Sequence, residues 1–142
     1  MGNGLRTKTP PLLSLILLCV GGCAGTWVDD PGNFKRVFGF DPPHDVRVLH
    51  SYYWKSPHWT TEYSYFIAVQ PSSKFVSGLT ANELMTVVNP DPRLLESCGT
   101  RPPWFLPKPM GFYEAWFPKT QMGYRVFRDK ADETLFVCDK QL

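Results

Sequence analysis

Three histidines, His44, His50 and His58, fall within fifteen residues of one another and are the first candidates for chemistry. A metal site is the obvious use of such a cluster. Their separations of six and eight residues match no common ligand spacing. Asp45 and Glu62 are not placed to complete a set, so neither a metal nor another cofactor is expected. His50 falls mid-strand and reads as a sheet residue, and His58 falls at a hairpin tip. No serine occupies a nucleophile elbow, and no glycine-rich phosphate loop or dinucleotide fingerprint is present. The carboxylates are scattered. A hydrolase would need His50 or His58 to meet Glu62 or Asp45 within proton-transfer reach, and nothing in the spacing brings them there.

Aromatic residues make the stronger constellation. Tyr52, Tyr53, Trp54, Trp59, Tyr63 and Tyr65 crowd one short stretch around Lys55, Ser56, Pro57 and His58. Tryptophan and tyrosine near a hairpin tip supply large, rigid contact area for a protein or glycan partner. The candidate binding site is therefore Trp54 and Trp59, facing each other across the turn, with His58 and Lys55 as polar partners. The competing explanation is purely structural, because aromatic cross-strand pairs stabilise a hairpin by themselves. Arg101-Pro102-Pro103-Trp104-Phe105 is either a second aromatic wall or a plug, with Trp104 filling the core beneath its loop.

The leader determines where such a site would work. Arg6 and Lys8 give a positively charged start, and no acidic residue precedes Asp29. The apolar run from Pro10 to Val20 has the length of a signal-peptide core and is too short to span a bilayer. It ends in Val20-Gly21-Gly22-Cys23, which resembles the lipobox of bacterial lipoproteins. The resemblance implies removal of residues 1–22 as a signal peptide and lipidation of Cys23. A lipoprotein cysteine carries at least two acyl chains, which anchor a protein stably where one would not. The expected location is the bacterial cell envelope, lipid-anchored to the membrane. The alternative is an ordinary signal peptide cut near Cys23-Ala24-Gly25 and a secreted domain. Cys19 leaves with the leader and Cys23 goes to lipid, so Cys98 and Cys138 remain. In an oxidising compartment they are expected to pair; two buried free thiols are the other outcome. The leader also takes two of the fifteen basic residues and none of the thirteen acidic ones. The mature chain is then formally neutral and offers no basic face for nucleic acid.

The elements that must position these residues read as one domain over residues 30–142, preceded by a short tether at 23–29. Asp30-Pro31 opens a helix as N-cap and first helical position. Phe34, Val37 and Phe38 share its apolar face, and Gly39 stops it. Residues 45–54 alternate as a strand with Val46, Val48, His50, Tyr52 and Trp54 on one side. Residues 59–70 return with Thr61, Tyr63, Tyr65, Ile67 and Val69 on one side. Residues 71–78 read as a loop or helical turn. Thr80-Ala81-Asn82-Glu83 resembles a capping box and predicts a short helix to Val88. A proline-rich segment, 91–109, would need Cys98 to pin it. Strands follow at 110–117, 123–128 and 133–139, the last two joined by a tight turn at 129–132.

The order α-β-β-α-β-β-β predicts an α+β fold: an antiparallel sheet of about five strands with two short helices packed on one face. The expected function is a membrane-tethered binding module of the envelope. A structural or assembly subunit of an envelope complex is the alternative, and an envelope hydrolase is the least supported reading.

Overall fold

The computed structural model describes residues 24–58, 62–81, 84–88, 90–120 and 122–142. Among them the chain forms an antiparallel sheet flanked by two helices, a mixed α+β architecture that is mostly sheet. The strands are β1 (Gly25–Val28), β2 (Arg47–Lys55), β3 (Tyr63–Gln70), β4 (Leu84–Val87), β5 (Tyr113–Pro118), β6 (Arg125–Asp129) and β7 (Leu135–Gln141). The helices are α1 (Asn33–Phe38) and α2 (Ser73–Thr80). The seven strands lie in the order β1-β2-β3-β7-β6-β5-β4, two more than expected. Both additions lie at the edges. β1 occupies residues read as tether, and β4 replaces the predicted second helix.

β4 pairs with β5 from Leu84↔Pro118 to Val87↔Ala115. Cross-strand pairing outweighs the local capping signal there, because Leu84 and Val87 gain burial against the sheet. The second helix lies upstream, over Ser73–Thr80, where the Ser72 hydroxyl accepts the Phe75 N–H at 3.2 Å as an N-cap. α1 starts later than Asp30-Pro31 suggests, with Gly32 at its N-cap. The Asp30 carboxylate instead accepts the Gly32 N–H and pairs with Arg36. Gly39 ends the helix as expected, in the left-handed region at φ 80°, with its N–H bonded to the Lys35 carbonyl.

β2 departs from strict alternation. Val48 faces Val69 and His50 faces Ala68, so Leu49 is an extra, unpaired residue. This bulge reverses the parity beyond it. Val46 and Val48 stay on the helix-covered face with Tyr53, while Tyr52 turns to the opposite face. The expected alignment of Val46, Val48, His50 and Tyr52 on one side is thereby broken.

β3 has the expected parity, with Tyr63, Tyr65, Ile67 and Val69 on one face, but it is a central strand. Its other face buries Phe66 and Ala68 as well. It pairs with β7 from Tyr63↔Gln141 to Val69↔Leu135.

Each face has its own cover. Both helices lie on the first, where Phe34, Val37 and Phe38 of α1 and Phe75, Val76 and Leu79 of α2 pack on Ile67, Val69, Leu135 and Val137. The proline-rich segment covers the second. Phe105 sits at its centre, with ring contacts to Phe66 at 4.9 Å, Phe136 at 5.6 Å and Phe127 at 6.4 Å. A disulfide from Cys98, at the end of a 3-10 turn (Pro92–Cys98), to Cys138 on β7 fixes that segment. The Ser64 hydroxyl donates to the Cys98 carbonyl at 3.2 Å. The pairing inferred from the cysteine count is therefore present.

Candidate functional site

The β2–β3 connection brings Lys55, Ser56 and His58 together. The Ser56 N–H closes the turn onto the Glu62 carbonyl at 3.0 Å, and its hydroxyl accepts the His58 N–H at 3.2 Å. His58 is exposed, and Lys55 sits between Gly25 and Tyr63 in the sheet. Trp54 is half-buried within the sheet, opposite Thr26 on one side and Ser64 on the other. Its partner on β3 is Ser64. Trp59 and the lipidation candidate Cys23 lie outside the described residues.

The tyrosines of the hairpin form a ladder on the helix-covered face. Tyr53, Tyr63 and Tyr65 stack with centroids 5.9–6.4 Å apart and interplanar angles of 14° or less. Trp27 joins at 6.0 Å from Tyr53, capped by the Arg36 guanidinium 4.6 Å from the indole. Burial pushes the Tyr63 hydroxyl up to about 12, helped by the Asp139 carboxylate, to which it donates at 3.0 Å. Burial holds Tyr65 well above the ordinary phenol value, with Asp139 adding to the effect. Much of the aromatic density seen in the sequence is therefore packing.

The three histidines go to three different places. His44 lines a cleft on the helix side. His50 stacks on Trp104 at 5.2 Å, with Nδ1 3.5 Å from the Asp29 carboxylate. His58 stays at the hairpin. No group of three or more His, Cys, Asp or Glu side chains converges among the described residues.

The cleft itself was not visible in the sequence. It holds about 620 Å³ between the α1–β2 connector and α2. Phe38, Phe40, Phe75 and Leu79 form its apolar wall, and His44, Asp45 and Lys74 stand exposed at its rim. Phe38 and Phe75 meet edge-on at 5.4 Å over Phe34, and Phe40 lies 6.2 Å from Phe38 with 48% of its surface exposed. The Tyr124 hydroxyl donates to the Leu79 carbonyl at 3.0 Å, tying the end of α2 to the sheet. One available signal was Phe40, an aromatic residue beyond the helix-stopping Gly39. The other was the i, i+4 pair Phe75 and Leu79, which only a helix places on one side. Chemically, the cleft offers aromatic surface to an apolar group and mixed charge to a polar one.

Among the described residues, the fold and cleft define a mostly-sheet α+β architecture with an aromatic recess on its helical face. Comparison of the chain with protein-family models, curated proteins and solved structures gives no match.

Proposed function

We propose that this chain is a lipid-anchored protein of the bacterial cell envelope whose domain is a binding module for an amphiphilic molecule. The anchor reading rests on the leader and its Val20-Gly21-Gly22-Cys23 ending. The observation that carries the binding reading is the cleft of about 620 Å³, which presents phenylalanine rings beneath a rim of His44, Asp45 and Lys74. Volumes of this order are usual for small-molecule sites, which pair apolar walls with a few polar groups. The half-exposed Phe40 ring is surface that a ligand would cover at a gain of about 25 cal/mol per Å².

Gly78 provides the test, because it lines the cleft and a Cβ built there meets nothing within 4 Å. Gly78→Leu should fill the recess without strain and should favour the helix. Residues 24–142, exported without lipid, are titrated with N-phenyl-1-naphthylamine, a neutral fluorescent amphiphile. The expected outcome is saturable fluorescence enhancement that weakens about tenfold, roughly 1.4 kcal/mol, in Gly78→Leu, with an equal or higher Tm. Equal binding by both proteins would remove the cleft from consideration.

The alternative is an assembly subunit, for which Trp54, Lys55 and His58 at the hairpin would serve as protein contacts. It requires a stoichiometric envelope partner that co-purifies and is lost on substitution of those residues.

A further inference from the structure

The lipid-anchor reading, on which this inference rests, acquires a geometry from β1. Its first residue, Gly25, lies opposite Lys55 in the sheet. Only Ala24 separates Gly25 from Cys23, so the two Cα atoms are at most about 7 Å apart. A lipid on Cys23 would therefore hold the domain by the end of the sheet where β2 turns into β3. Turning the opposite end of the sheet to the bilayer would require β1 to leave the sheet.

β1 is firmly held. Four residue pairs join it to β2. The Asn33 side-chain amide, fully buried, donates to the Trp27 carbonyl and to the Ser51 hydroxyl, both at 3.0 Å. The Asp29 carboxylate accepts the Ser51 N–H at 2.8 Å, and the Asp29 N–H donates to the Ser51 carbonyl at 2.8 Å. Peeling β1 away would cost the Asn33 amide one of its two acceptors and uncover the Trp27–Tyr53 contact.

We infer that the sheet end around Lys55, His58, Met122 and Lys140 is a membrane-facing surface that meets an anionic lipid headgroup layer. Met122 is 74% exposed and shares a groove with Tyr63 and Lys140 at this end. An apolar side chain beside a lysine suits the interface, where the lysine stem lies along apolar surface while its ammonium group reaches phosphate. Asp139, the nearest acidic neighbour in that groove, is engaged by Arg125 at 3.7 Å and by the Tyr63 hydroxyl. Glu62, whose carbonyl closes the β2–β3 turn, is a further carboxylate of this end. Each lysine near an anionic leaflet strengthens association about fivefold. His44 and Asp45, at the cleft rim, precede the opposite end of β2, about 26 Å from Lys55 along the strand.

The test uses the full chain, processed and lipidated in a bacterial host and reconstituted into phosphatidylcholine vesicles containing a minority of phosphatidylglycerol. Spin labels are placed on Met122→Cys in one sample and on Asp41→Cys in another, the second position being exposed and beyond α1. Accessibility to oxygen and to a water-soluble nickel chelate is then measured. Shielding of the label at 122 from nickel, with the label at 41 fully open to it, is the expected result. Vesicle-bound protein with both labels open, or with the label at 41 shielded instead, overturns the orientation alone. Protein that does not float with the vesicles and carries no lipid mass overturns the anchor reading and the orientation together.

Discussion

Replacing Cys98 and Cys138 together by alanine tests how the irregular cover is held on the sheet. The two residues are 40 apart in sequence, and cross-linking a loop of that length removes chain entropy worth about 4 kcal/mol from the unfolded state. Both sites are fully buried, so each truncation also forfeits packing, on the order of 1 kcal/mol. A domain of this length is stable by roughly 6 to 15 kcal/mol, so the double variant loses a third or more of its margin. Alanine is the right substitution, because serine would bury an extra hydroxyl. The assay is urea unfolding followed by tryptophan fluorescence. Two quantities should move together: the midpoint falls, and the m-value rises because the uncross-linked chain exposes more surface when unfolded. The Gly99 N–H, bonded to the Glu96 carbonyl at 3.0 Å just after the bridge, should also exchange faster with solvent. A loss below about 1 kcal/mol with an unchanged m-value would refute the reasoning, since it would mean that the unfolded chain was never restricted.

Two titrations probe the charged and phenolic groups. Tyr63 has its folded-state pKa raised to about 12, so its contribution to stability is complete below the unfolded phenol value and is lost as pH rises through the folded one. Absorbance at alkaline pH should show its ionisation delayed in the folded protein, and Asp139→Asn should bring it earlier; an unchanged curve in the variant would remove Asp139 as a cause. Burial alone would raise the Asp129 carboxyl, but the Lys108 ammonium and the Ala131 N–H outweigh it and hold it below the ordinary value. That stabilisation is present above the unfolded carboxylate pKa and is lost as pH falls through the folded value. Lys108→Gln should therefore flatten the acid limb of stability measured by urea unfolding between neutral pH and pH values around 3.

The legible parts of the fold were those in which local pattern and tertiary role agree. β3 announced its helix-side face through Tyr63, Tyr65, Ile67 and Val69, and α1 through Phe34, Val37, Phe38 and the stop at Gly39. The Cys98–Cys138 bridge is the pairing expected once the leader reading sets the other two cysteines aside. The misread parts were those in which a distant partner decides. Leu84–Val87 follows a sequence that resembles a helix start, yet β5 draws it into the sheet. Gly25–Val28 is too short to read as a strand without its partner β2. The bulge at Leu49 has no sequence mark at all, and it moves Tyr52 to the other face. The cleft was illegible for a related reason. Phe40 and Phe75 are far apart in sequence, and the signals they carry join into a recess only when α1 and α2 lie side by side.

The strand order has a consequence for how the chain acquires its shape. β1, β2 and β3 are complete by residue 70: β1 pairs with β2 across a connection that carries α1, and β2 pairs with β3 as a hairpin. Yet the free edge of β3, which is apolar on both faces, is closed by β7, the last strand among the described residues. A polypeptide emerging from its amino end must therefore carry an unfinished half-sheet until residues 135–141 arrive. Pairing β3 with β7 closes the longest loop among the sheet's strand pairs, and that closure is paid before its contacts form. Until then the half-sheet is an open template for pairing with other chains. Loss of the final strand would remove the centre of the sheet rather than its margin.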